Sequence, residues 1–104
     1  MSRRVFDEAT LGRLRQMPSA DALAILCVHM KADPTYVGVK DVGSRRWHVR
    51  TPLGEHEILT TGVKWYDTRA SVGGGGAIDL AMHLLRLGFV DAVKLLNDRA
   101  CGSS

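Results

Sequence analysis

The chain has 104 residues, 45% of them hydrophobic and 24% charged, which suffices for one core and excludes both a disordered chain and a multidomain one. Its formal charge of +3 permits an anionic partner without requiring one. Two cysteines, Cys27 and Cys101, are too few for a disulfide framework and suit a reducing cytoplasm, and no apolar run reaches membrane-spanning length.

In chain order, residues 1–18 read as a loose N-terminus holding a short helix over 7–16, with Leu11 and Leu14 on one side. Pro18 ends that helix, because the residue before a proline is pushed out of the α region. Ser19 then reads as an N-cap, and Asp21 falls in the first turn, where the helix dipole favours an acid. The spacing predicts a helix over 20–32, with Leu23, Leu26, Cys27 and Met30 on one face and Pro34 closing it. Residues 36–42 and 46–51 read as a hairpin. A three-residue loop pairs Val39 with Val49, giving an inner face of Val37, Val39, Trp47 and Val49 and an outer face of Lys40, Arg46, His48 and Arg50. Strands over 55–61 and 63–66 follow, joined around Gly62. A loop over 67–76 ends in Gly73, Gly74, Gly75 and Gly76, a tight turn needing positive φ. Helices over 77–87 and 90–98 complete the chain, with Gly88 as the C′ residue of the first and 99–104 as a disordered tail. The predicted class is α+β: a small antiparallel sheet of three to four strands, an N-terminal helix and two C-terminal helices, in one domain over 19–98.

No set of residues reads as a complete catalytic or metal centre. The glycine run lacks the Lys-Ser/Thr pair of a nucleotide-binding loop, and Asp79 in the following helix repels phosphate. Cys27 and His29, two apart on a predicted helix, point about 200° apart. His56-Glu57 lacks the second histidine of a zinc-protease motif, and His83 reads as a half-buried helical residue. Neither a cofactor nor a structural zinc is expected. The strongest pattern is basic residues interleaved with aromatics: Arg45, Arg46, Trp47 and His48, then Lys64, Trp65 and Tyr66 on what reads as a neighbouring strand, then Arg69. Rings stack on unpaired bases while cations hold phosphates. The same residues also fit core tryptophans under a solvated charged face, with Trp47 on the side of Val49.

The stretch from Lys64 to Leu96, KWYDTRASVGGGGAIDLAMHLLRLGFVDAVKLL, resembles the end of the zinc-ribbon domain at the N-terminus of bacterial DnaG-type primases. The matching parts are Trp65-Tyr66, Gly75-Gly76, Ile78-Asp79-Leu80, and Phe89, Ala92, Val93 and Leu96. It looks closer still to the cysteine-free versions in primase-like proteins of plasmids and mobile elements. The resemblance implies a zinc-ribbon-like fold that has lost its metal, since Asp67, Thr68 and Ser71 stand where thiolates would be expected. It also implies a non-catalytic, single-strand-binding role beside a separate Toprim catalytic domain, whose acidic motifs are absent from these residues. The implied contacts are Lys40, Arg45, Arg46, His48, Arg50, Lys64 and Arg69 on phosphates of single-stranded DNA or RNA, with Trp65 or Tyr66 stacked on a base. Docking onto a polymerase, helicase or primase, with no nucleic acid involved, is the alternative. A third reading, an enzyme using Asp67, His48 or Glu57, requires those groups to converge.

Overall fold

Alternation of side chains along four adjacent strands sorts this protein into a packed layer and an open one. The computed structural model describes residues 8–34 and 44–100. Helices α1 (Glu8–Arg15) and α2 (Ser19–Leu26) precede strands β1 (His29–Ala32), β2 (Arg45–Thr51), β3 (Gly54–Thr61), β4 (Lys64–Asp67) and β5 (Val72–Gly75). Helices α3 (Ala77–Leu85) and α4 (Phe89–Ala100) end the fold. The α+β class and the antiparallel sheet are as expected from the sequence. Among the described residues the sheet has five strands rather than three or four, in the order β1-β2-β3-β4-β5, each antiparallel to the next.

Both extra strands come from segments given other roles. The helix expected over 20–32 stops at Leu26, and Cys27 is already extended. Val28 N–H donates to the Arg50 carbonyl at 2.8 Å, and Met30 then lies opposite Val49. Val49 has His56 on its other side, so the place assigned to Val39 is filled by β1. Residues 36–42, with Lys40, lie outside the described residues. The glycines form a strand rather than a turn: Gly73, Gly74 and Gly75 pair with Tyr66, Trp65 and Lys64. A Cβ on Gly73 would sit 2.9 Å from the Tyr66 ring, and one on Gly74 would collide with the Asp79 carboxylate, so this edge is built for close approach. Gly76 does take positive φ, at 89°.

Register places Trp47, Val49, Ile58, Thr60, Trp65 and Asp67 on one face of the sheet. Against it packs a core drawn from Leu14, Leu23 and Leu26 of the first two helices and Ile78, Leu80, Ala81, Leu84, Val93 and Leu96 of the last two. Leu14 is fully buried, so α1 packs into the same core as the helices and sheet that follow residue 19. Ser19 does not cap α2. Its Oγ donates to the Val63 carbonyl at 2.8 Å and its N–H to that of Gly62, tying the helix start to the β3–β4 turn. Arg86, not Gly88, takes the left-handed position after α3, with φ 56°, and Gly88 instead accepts the first bond of α4 from Ala92.

Candidate nucleic-acid interface and a His-Asp-His centre

Among the described residues, no helix covers the other face of the sheet. Along it run His29 and Lys31 from β1, Arg46, His48 and Arg50 from β2, Glu55, Glu57 and Leu59 from β3, and Lys64 and Tyr66 from β4. None of these ten residues is buried. The two-residue period of β2 thus puts Arg46, His48 and Arg50 together as expected.

Several expected contacts are repositioned. Trp65 is only 4% exposed and faces the core, so it is removed from any base-stacking surface; Tyr66, next in sequence, is 42% exposed. Arg45 has the parity of Trp47 and Val49 and so does not share the face of Arg46. Lys64 is not on a strand adjacent to β2, because β3 lies between them. The half-buried Trp47 donates its Nε1–H to Thr60 Oγ1 at 3.0 Å and supports the core side.

Acids interleave with the cations. Arg46 Nε lies 2.9 Å from Asp33 and 3.1 Å from Glu57, and His48 is 3.3 Å from Asp33. Arg50 meets Glu55 at 3.1 Å, with both side chains more than half exposed. Arg46 is therefore held between carboxylates, whereas the Arg50 pair is a surface contact worth about 0–1 kcal/mol and readily exchanged. Beside it opens a shallow cleft of about 120 Å³ whose walls include His29, His48, Arg50, Glu55, His56 and Arg69. Two arginines distant in sequence thus share a small cavity. Lys31 and His29 were missed because their segment read as helix; the alternation His29-Met30-Lys31-Ala32 was the strand signal.

A second constellation sits on the packed face. The buried Asp67 carboxylate accepts four hydrogen bonds: from the Arg69 and Ala70 N–H groups to Oδ1 at 3.0 and 3.1 Å, and its Oδ2 lies 3.0 Å from His56 Nδ1 and 2.7 Å from His83 Nε2. Burial alone would raise the Asp67 pKa, but the bonds from His83, the Ala70 N–H and His56, with the His56 charge, outweigh it and hold the group below the ordinary aspartate value. Trp65 stacks on His83 with ring centroids 5.0 Å apart. One ligand atom from each of His56, Asp67 and His83 lies within 4.8 Å of the others, a spacing that can hold a metal ion. No short motif announces this set, whose members come from β3, β4 and α3. Thr68 Oγ1 bonds the Glu57 carbonyl and carboxylate.

The groups named for an enzymatic reading do not converge. His48 and Glu57 are paired on the open face, while Asp67 is on the packed one. Burial pushes the Cys27 thiol up to about 11, which makes it a poor nucleophile.

A 65 kDa protein of Zymomonas mobilis subsp. mobilis is 35% identical to this chain over 86 residues, covering 83% of the chain. The chain spans 13% of that protein's length. No protein-family model matches the sequence, and no solved structure matches it. Among the described residues, no helix is long and apolar enough to cross a membrane.

Proposed function

We propose that this domain binds single-stranded nucleic acid, single-stranded DNA foremost, on the open face of its sheet, as a non-catalytic cytoplasmic module of a primase-like replication protein of a plasmid or mobile element. The observation that carries the reading is a face uncovered by any helix among the described residues, with exposed Tyr66 and Lys64 on β4 and, where the ends of β2 and β3 meet the segment after β4, the cleft that Arg50 and Arg69 share. A strand crossing it has a ring for stacking and separated cations for phosphates. Lys31, Arg50, Lys64 and Arg69 make the phosphate contacts; Arg46 and His48 order the surface through Asp33. The likeness of Trp65 to Leu96 to the primase domain supports the replication context, with catalysis supplied by a Toprim domain elsewhere.

The test is fluorescence anisotropy of a labelled single-stranded DNA with the purified domain. Binding at about 50 mM salt should weaken as salt rises, with a log–log slope near −0.7 per phosphate contact. Arg50→Ala with Arg69→Ala should lower that slope, and Tyr66→Ala should cost about 1–3 kcal/mol of affinity. Absence of binding at low salt rejects the reading.

A docking role has one observation of its own: Phe89 and Val90, at the start of α4, are 42% and 49% exposed. Retention of a replication protein after nuclease treatment, lost in Val90→Ser, would favour it.

A further inference from the structure

We propose that His56, Asp67 and His83 form a binding site for a divalent transition-metal cation, zinc foremost, with two imidazole nitrogens and one carboxylate oxygen as protein ligands. The two rings arrive from different elements, β3 and α3, yet both point a nitrogen at the same oxygen, Asp67 Oδ2, at 3.0 and 2.7 Å. Donors bound to zinc at about 2.0–2.2 Å stand roughly 3–3.5 Å from one another, so the cluster needs to open by only a few tenths of an ångström around each of these two pairs. The donor types also discriminate. Imidazole suits zinc and its first-row neighbours, whereas magnesium and calcium take oxygen ligands.

The surroundings fix the ligands as metal sites require. Asp67 Oδ1 is occupied by the Arg69 and Ala70 N–H groups, which turns Oδ2 toward the rings. Trp65 lies against the His83 ring and sets its plane. Such outer-shell support orients ligating groups and tunes their affinity. Asp67 is fully buried while the His56 and His83 side chains are 22% and 20% exposed. His56 also lines the cleft with Arg50 and Arg69, which gives an ion its route. Binding needs each ring neutral, with its lone pair on the nitrogen facing Asp67 and its proton on the other nitrogen. Affinity therefore falls as pH falls and protons compete. Bound, the ion joins the sheet to α3.

The experiment uses the full chain stripped with chelator, titrated with zinc chloride by calorimetry and with cobalt(II) by visible absorption. One ion per chain is expected, with cobalt d–d bands of nitrogen–oxygen type, no thiolate charge-transfer band, and a rise in melting temperature with zinc. His56→Gln and His83→Gln, checked for folding by circular dichroism, should each weaken binding about tenfold or more, by the scale of support lost at metal sites. Asp91→Asn and Asp98→Asn, exposed on α4, should leave it unchanged. No heat and no cobalt bands with the wild-type chain would overturn the proposal and leave the three groups a hydrogen-bonded network. Binding untouched by both His56→Gln and His83→Gln would overturn it equally. Neither result depends on whether the open face holds nucleic acid.

Discussion

The two faces of one sheet use nearly the same chemistry to opposite ends. On the packed face Asp67 meets two histidines; on the open face Asp33 and Glu57 meet Arg46, and Glu55 meets Arg50. Asp67 is fully buried and, among the described residues, accepts four hydrogen bonds. Leaving such a group partly unpaired costs about 1–3 kcal/mol. The Arg50–Glu55 pair sits in water and is screened by salt. A carboxylate on the packed face is therefore fixed and selective about what replaces its partners. One on the open face can release its cation to a phosphate.

The contrast breaks most visibly at Trp65. Trp65→Ala should cost about 3–5 kcal/mol in urea unfolding, as for other buried aromatics, and should free the His83 ring. Trp65→Phe should cost far less, because the Trp65 Nε1–H is buried with no hydrogen-bond partner among the described residues and its loss removes a penalty. Equal losses in the two variants would mean that the indole N–H is satisfied after all.

Asp67 gives a smaller effect with a pH signature. Its pKa is lowered in the folded state, by hydrogen bonds that outweigh the opposing effect of burial. The unfolded value is near 3.9. A depressed folded value stabilises fully above the unfolded value, and that stability is lost as pH falls through the folded one. Urea midpoints of the wild type should thus decline below about pH 4. Asp67→Asn should cost about 1–3 kcal/mol at neutral pH and show a shallower acid decline. Parallel curves would remove Asp67 from the acid response.

Much of this division was legible in the sequence. The alternation of β2 separated Arg46, His48 and Arg50 from Trp47 and Val49, and the turn at Gly62 located the β3–β4 hairpin. That hairpin also held an unread signal: with Thr60 opposite Trp65 and Ile58 opposite Asp67, parity alone puts Trp65 inside and Tyr66 outside. Other features were not local. The run from Ala22 to Met30 is apolar enough for either a buried helix or a strand, and pairing with β2 decides where one gives way to the other. Glycine disfavours strands, yet Gly73 and Gly74 form one because Tyr66, Trp65 and Asp79 fill the space where a Cβ would go. His56, Asp67 and His83 meet only after β3 has paired with β4 and α3 has folded back on the sheet.

The smallest expected effects lie on the open face, and there the comparison can be sharpened within β2 itself. Arg46 touches two carboxylates with its side chain 31% exposed, whereas Arg50 touches one with its side chain 60% exposed. Arg46→Ala should therefore cost about 1 kcal/mol, and Arg50→Ala within about 0.5 kcal/mol of nothing. Affinity for single-stranded DNA should rank the other way, because Arg50 and not Arg46 borders the cleft. An arginine already committed to two carboxylates loses more on turning to a phosphate than one in a solvent-exposed pair. If Arg46→Ala weakens binding more than Arg50→Ala while stability changes equally in both, the ion pairs of this face do not persist in solution, and the cations act as one undifferentiated surface.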